Sequence, residues 1–503
     1  SGSLRWQAVG LIVDYVMSKS ADKLALSLIS HTNVGKTTLA RTLLRREIGE
    51  VSDRAHVTDI SEAHELVRTS DGRRLLLWDT PGFGDSVRLL KRLKHSGDPI
   101  AWFLTSVWDR IRDRPFWCSQ QAVKNIQAEA DIVLYLVNAT EPPDAAPYVG
   151  PELEVIEWLG KPVLALVNQT GPMTSARIDH GVASWRRYFE RLPFVHDCLP
   201  LDAFARCWVQ EHALFRKVVE VAPSGKRALA SALADAWEQA GRRVFSESMD
   251  SLARQLATAA SDEVRVRNVG IADRLREFLA RSGLGIGDKS LNVREQAMAD
   301  LATRLDAAIR DTMRELISIH GLEGDADTRI LERIRENYAT SEPLHEGIAA
   351  VLGGFVSGAL GGLAADLAAG GMSFGGGAVA GGLLGAAGAG SLAKGYNLIR
   401  GQGDMAIRWS DAFLVGLVQS AALRYLAVAH YGRGRGRWSE SEAPLEWKAM
   451  VAEIVHRHRQ QLRRAFTEAR RDNPGKAQIL LAGELESICT SALGQLYPDC
   501  ELD

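Results

Sequence analysis

The chain has 503 residues, 46% of them hydrophobic, and 60 Lys and Arg against 62 Asp and Glu, for a formal net charge of -2. Such a length carries two or more domains with cores of their own, and the balanced charge excludes a general electrostatic pull toward nucleic acid or an anionic surface, so a charge-driven partner must meet a local patch. The five cysteines, at positions 118, 198, 207, 489 and 500, lack metal-ligand spacing and fit a reducing compartment better than a disulfide framework.

At the N-terminus, Ser1-Gly2-Ser3 reads as a tag remnant and Met17 as the natural start, which makes residues 1–16 an upstream segment. The apolar run Val9 to Val16 is interrupted by Asp14 and has no basic leader or cleavage site, so it does not read as a signal peptide. From Leu24 to Leu39 an apolar run leads into a polar turn and then Gly-Lys-Thr at the head of a helical pattern: strand, phosphate loop, helix. Enclosing a nucleoside triphosphate takes inward-facing backbone N–H groups, a cation and a hydroxyl for Mg²⁺. Gly35, Lys36 and Thr37 supply these in order, and Ser30, Asn33, Val34 and Thr38 complete the candidate nucleotide-binding loop. The consensus has Gly at the position of Ser30, and a serine fits there only where the backbone φ suits an L-residue.

Arg45 to Ser61 is polar and turn-rich. Thr58 within it is either an ordinary loop threonine or the residue of a mobile switch loop that brings its hydroxyl to Mg²⁺ and the γ-phosphate. Ile60 to Thr69 and Arg73 to Trp78 read as two strands joined at the hairpin signal Asp71-Gly72. The second strand runs into Asp79-Thr80-Pro81-Gly82. An acid at a strand end holds Mg²⁺ through water, and a Gly three residues on offers its N–H to a γ-phosphate; the plainer alternative is a capped turn.

The stretch Ser-His-Thr-Asn-Val-Gly-Lys-Thr from Ser30 and the Asp-Thr-Pro-Gly from Asp79 together resemble the translation-factor-related GTPases, in their Era, TrmE and septin-like branch. The resemblance covers roughly residues 24 to 205, and the layout of the whole chain is similar to a bacterial group that joins such a GTPase to an uncharacterised helical C-terminal domain. It implies an α/β P-loop GTPase domain with a mostly parallel sheet and helices on both faces. It also implies GTP and Mg²⁺ as ligands, Lys36, Thr58 and Gly82 as catalytic residues, and Thr37, Thr58 and Asp79 around the metal. Phe83 stands where Ras-like enzymes place a water-orienting glutamine, which implies slow intrinsic hydrolysis. In relatives with a hydrophobic residue there, an asparagine at the position of Asn33 helps bind K⁺; the alternative is that Asn33 caps its loop.

Asp131 to Val137 and Lys161 to Val167 are further apolar strands, with a helical Pro151 to Leu159 before the second. The latter ends in Asn168-Gln169-Thr170-Gly171 where family members carry Asn-Lys-x-Asp. Asn168 fits; Gln169 replaces the lysine along the base, and Gly171 replaces the aspartate that pairs with the guanine edge, so guanine preference rests on the resemblance. In Leu201-Asp202-Ala203-Phe204, at the place of the Ser-Ala-Lys loop, Ala203 is expected to offer its N–H and Asp202 to stand in for the missing acid. Val87 to Arg114 is basic and bears Trp102 and Trp108, as core tryptophans or as a surface that relays nucleotide state.

Beyond Phe204 strand patterns give way to helical spacing through Lys226 to Ala260, Asp262 to Arg281 and Leu291 to His320. Gly347 to Ala393 carries only Asp366 as a charge and repeats Gly every fourth position, at 354, 358, 362 and at 377, 381, 385. That spacing predicts a glycine-zipper helical hairpin, in a bilayer with Lys394 and Arg400 as anchors or packed in a soluble bundle. Tyr431 to Trp438 places three arginines on a Gly-rich loop, for lipid headgroups or RNA phosphates or as a solvated linker. Glu446 to Arg471 and Ala477 to Leu496 close the chain as helices around the turn Asn473-Pro474-Gly475.

The expected division is a GTPase domain at 17–205, an all-α C-terminal part at 206–345 and 401–503, and the glycine-rich hairpin at 346–400. The expected function is a slowly hydrolysing GTP switch, K⁺-stimulated through Asn33, whose helical part meets membrane lipid or a membrane protein at the cytoplasmic face of the inner membrane. The alternatives are a nucleotide-gated scaffold with little turnover, which would act as a homo-oligomer, and, third, an RNA-associated assembly GTPase, for which no RNA-binding module is recognisable in the C-terminal half.

Overall fold

A computed structural model describes residues 22–31, 34–44, 61–95, 99–105, 113–169, 176–201, 207–267, 289–322, 396–400, 404–430, 445–471, 473–498 and 500. The chain forms two compact units, residues 1–243 with 430–441 and 496–503, and residues 244–429 with 442–495.

The first unit is built on a six-stranded sheet. Its strands are β1 (Lys23–Ser30), β2 (Glu62–Arg68), β3 (Arg74–Asp79), β4 (Ile132–Asn138), β5 (Val163–Asn168) and β6 (Val195–Pro200), in the spatial order β2-β3-β1-β4-β5-β6. All neighbours are parallel except β2, which pairs antiparallel with β3 at the edge. The β2–β3 hairpin turns where Asp71-Gly72 marked it, with Gly72 at φ +91. Between the strands run α1 (Lys36–Leu44), α2 (Ser86–Leu93), α3 (Pro99–Thr105), α4 (Arg114–Ala128), α5 (Val149–Trp158) and α6 (Ala176–Phe189), followed by α7 (Trp208–Val221) and the long α8 (Arg227–Ser261).

Alternation along β4 sends Ile132, Leu134 and Leu136 to one face and Val133, Tyr135 and Val137 to the other, all buried. The first set packs with Leu39 and Leu43 of α1, Phe215 of α7 and Leu229, Leu233 and Trp237 of α8; the second packs with Leu89, Phe103, Phe116, Leu153, Ile156 and Trp185. Burial on both faces explains why these strands read as continuous apolar runs. Chain order runs from β1 to β3 on one side and to β4 on the other, so β1 is the topological switch point, and the carboxyl ends of such strands form the crevice where ligands of doubly wound sheets bind.

The second unit is predominantly helical, with the later part of α8, α9 (Lys289–Ile319), α10 (Asp411–Ala429), α11 (Leu445–Ala469) and α12 (Pro474–Leu496). Pro474 opens α12, and Asn473 accepts from the Lys476 N–H at 3.3 Å, so the turn read at Asn473-Pro474-Gly475 is the helix's N-cap. This unit is not all-α: β7 (Glu263–Arg267), β9 (Asp404–Trp409) and β8 (Tyr396–Arg400) form an antiparallel sheet in that order. The helix expected from Asp262 thus begins as a strand, and Arg400, expected as an anchor, falls in β8. Helix α10 is long and apolar enough to cross a membrane by length and composition, yet 72% of its apolar window is buried inside the protein. It carries the buried Arg424, whose Nη2 donates to Gln255 Oε1 at 2.9 Å, as a core helix does. The glycine-rich segment Gly347 to Ala393, Lys394 and the arginine loop Tyr431 to Trp438 lie outside the described residues.

Candidate nucleotide-binding site

Of the site residues singled out in the sequence, the described ones, Ser30, Val34 to Thr38, Asp79, Gly82, Asn168 and Gln169, lie at or just beyond the carboxyl ends of β1, β3 and β5. Gly35 lies just before α1 at φ +99, a conformation open to glycine, and a Cβ there would come within 2.6 Å of Asn168 Nδ2. Ser30, the departure from consensus, closes β1; among the described residues the only non-glycine with positive φ is Gln169, so the backbone at Ser30 suits an L-residue. Lys36 is buried at the start of α1 and lies over the loop, its Nζ donating to Ser30 Oγ at 3.0 Å and to His31 O at 3.4 Å. Burial lowers the Lys36 pKa, while the charges of Asp79, Glu152 and Cys118 oppose the shift. Val34 and Thr38 are buried beside it.

Thr37 Oγ1 donates to Asp79 Oδ2 at 2.8 Å, joining the first turn of α1 to the end of β3. Asp79 Oδ1 is buried with no hydrogen-bond partner among the described residues. Burial raises the Asp79 carboxyl above the ordinary carboxylate range, against the Thr37 hydrogen bond and the Lys36 charge. A buried orphan carboxylate oxygen beside a threonine hydroxyl fits Mg²⁺, which takes only one or two protein ligands and completes its shell with phosphate and water.

The chain from Thr80 to Ser86 is held on several sides. Thr80 Oγ1 donates to Leu28 O at 2.6 Å, and the Phe83 N–H donates to Ser30 O at 3.0 Å, within a parallel bridge between His31 and Phe83. Gly82 is buried between them. Phe83 itself is fully buried in the core, away from any water-orienting role. The Gly84 N–H donates to Ser119 Oγ at 3.1 Å, and a Cβ at Gly84 would meet Pro115 at 2.5 Å.

At the far end, Asn168 is fully buried and its Nδ2 donates to Val34 O at 2.8 Å, so the first residue of the base-recognition stretch braces the phosphate loop. Gln169 follows at φ +57, a left-handed backbone that L-residues rarely adopt and that concentrates at functional sites. Asn33, Thr58, Thr170, Gly171, Asp202, Ala203 and Trp108 lie outside the described residues, whereas Trp102 is partly exposed on α3.

Sequence reasoning missed one polar cluster. Glu152, in the first turn of α5, is 0% exposed and lies within hydrogen-bond distance of His31 Nδ1 (2.7 Å), Ser86 Oγ (2.6 Å) and Tyr135 OH (2.7 Å). The His31 ring also stacks on Tyr148 at 4.0 Å between centroids. A signal was present: Val149, Glu152, Leu153 and Ile156 share the inward stripe of α5, and an acid on an apolar stripe needs donors.

Two family models match the chain. Residues 26–169 match the family model of the 50S ribosome-binding GTPases, and residues 187–487 match that of the domain of unknown function DUF3482. The chain belongs to the DUF3482 family. In this DUF3482 protein the N-terminal domain is a P-loop GTPase domain, with guanine nucleotide as its ligand. A search of curated proteins finds no match. Similar solved structures include Era in complex with MgGDPNP and a stretch of 16S ribosomal RNA, 16% identical over 59% of this chain and 89% of that one, with a TM-score of 0.30. Another is a variant of Era from Aquifex aeolicus bound to GDP and aluminium fluoride, 15% identical over 59% and 90%, TM-score 0.30. A third is the FeoB G-domain from Methanococcus jannaschii, 20% identical over 36% and 86%, TM-score 0.21.

Proposed function

We propose that this DUF3482 protein is a slowly hydrolysing, Mg²⁺-dependent GTP switch whose helical part associates with the cytoplasmic face of a bacterial inner membrane. The observation that carries the nucleotide half is the meeting of Lys36, Thr37 and the unsatisfied Asp79 Oδ1 at the switch point of the sheet, under a loop braced by Asn168. Lys36 would swing from Ser30 Oγ to the β- and γ-phosphates, and the loop N–H groups around Gly35 would receive the remaining phosphate oxygens. Thr37 would hold Mg²⁺ directly and Asp79 through water; when bound, Mg²⁺ neutralises charge on the phosphates. The Gly82 N–H and Thr58 would sense the γ-phosphate, and Asn33 would hold K⁺ beside it. With no side chain of this chain assigned as general base, stabilisation by Lys36 and the loop N–H groups carries most of the acceleration.

The membrane half rests on the composition of Gly347 to Ala393, long enough in each arm to span a bilayer core and nearly free of charge. Competition among GTP, ATP and XTP on purified protein tests the nucleotide reading, and a tight preference for ATP overturns it. Flotation with lipid vesicles tests the membrane reading.

The burial of Phe83 supports a second reading, in which nucleotide binding alone gates assembly of a scaffold. Single-turnover phosphate release with and without K⁺ separates the two: a scaffold binds GTP without appreciable release.

A further inference from the structure

We propose that Glu152 is a positioning residue for the triphosphate, holding the entry of the phosphate loop and the start of the helix behind Gly82 in one register. The proposal rests on the GTP-binding reading above. It begins from a cost: a carboxylate with 0% exposure has lost its water, and an apolar side chain of similar volume would fill that place without the penalty. What the carboxylate adds is a choice of partners. The Ser86 and Tyr135 hydroxyls donate to it, and His31 Nδ1 lies within hydrogen-bond distance.

Two of these partners belong to segments that would face phosphate. His31 follows Ser30 in the phosphate loop, and its ring is pinned a second time by the stack on Tyr148. Ser86 is the first residue of α2, four positions after Gly82. The third partner, Tyr135, is a core residue of β4 with no place in either loop. Phe83 is meanwhile tied to the phosphate loop by its own N–H and by the bridge to His31, so residues 83–86 are fastened to that loop at both ends. Gly84, inside that stretch, is seated against Pro115, so the stretch has little slack to take up a shift of Gly82 and Phe83 toward a γ-phosphate. The bond from Ser86 to Glu152 would then hold the start of α2 against that shift. The charge of Glu152 also joins that of Asp79 in opposing the effect of burial on Lys36.

The test uses the full chain and measures three quantities: affinity for a non-hydrolysable GTP analogue relative to GDP, single-turnover hydrolysis, and thermal stability. Ser86→Ala and Glu152→Leu are expected to change the analogue-to-GDP ratio about tenfold, and the double variant to match Glu152→Leu alone, since each breaks the connection from Ser86 to Glu152. Tyr135→Phe removes a bond to the same carboxylate from the core side, and is expected to lower stability with the ratio and the hydrolysis rate unchanged. Should Glu152→Leu not fold, Ser86→Ala and His31→Gln decide, each expected to move the ratio. A ratio constant within twofold in these variants, or moved as much by Tyr135→Phe, overturns the proposal. Failure of the wild-type chain to bind guanine nucleotide overturns the GTP reading as well, whereas intact wild-type binding with an indifferent ratio overturns the role of Glu152 alone.

Discussion

The phosphate end and the base end of the site differ in how much of their geometry the protein itself holds. At the carboxyl ends of β1 and β3, Lys36, Thr37, Asp79 and Thr80 are each engaged by neighbouring groups at 3.0 Å or less, and Glu152 ties His31 to Ser86. At the end of β5, Asn168 turns back to the phosphate loop, and Gln169 sits in a rare backbone conformation just beyond it. Triphosphate chemistry imposes tight demands that few residue types meet, whereas base readout tolerates replacement as long as the phosphates anchor the ligand.

Substitutions at the two ends test that contrast. Lys36→Ala is expected to have the largest effect, lowering GTP affinity on the order of 100-fold, which is the ~3 kcal/mol of a charge-assisted contact; titration with a fluorescent GTP analogue measures it. Affinity within threefold of wild type would break the contrast outright. Next, Asp79→Asn is expected to weaken Mg²⁺-dependent binding about tenfold while making the ligand-free protein more stable at neutral pH. Burial raises the Asp79 carboxyl, so the folded chain holds that proton more tightly than the unfolded chain does. The associated stability is present below the ordinary carboxylate value of about 4 and is lost as pH rises through the raised value. The stability advantage of Asp79→Asn should accordingly grow as pH rises above about 4, and denaturant titrations upward from there read the sign.

Asn168→Ala leaves the buried Val34 carbonyl without its donor and is expected to cost about 1–3 kcal/mol of stability. Its effect on GTP and on tripolyphosphate should be alike, because the amide acts on the loop; a loss confined to GTP would assign Asn168 to the base instead. The smallest change is expected for Gln169→Gly, which relieves the backbone at φ +57 and gains about 1 kcal/mol or less in thermal unfolding.

Much of this was legible in the chain because the signals were local. The strands β1, β3, β4 and β5 read as apolar runs, the β2–β3 turn as Asp71-Gly72, and the phosphate loop as residues at fixed spacing. The small sheet of the second unit was not, since Glu263–Arg267 alternates over only five residues and its partner Asp404–Trp409 lies far along the chain. Non-local pairing leaves little trace in either segment alone. Glu152 was passed over for a related reason: a charged residue on a helix reads as solvated until its three polar partners, from β4, the phosphate loop and the start of α2, are seen to surround it.

The brace from Asn168 to Val34 has a consequence for what the pocket can recognise. Because a side chain of the protein supplies the support that shapes the loop, the ordering entropy is met during folding and not at the moment of capture. A chain organised in this way keeps its grip on polyphosphate even as the letters that read the purine drift, and selectivity among nucleotides becomes a trait that evolution can retune without dismantling the grip.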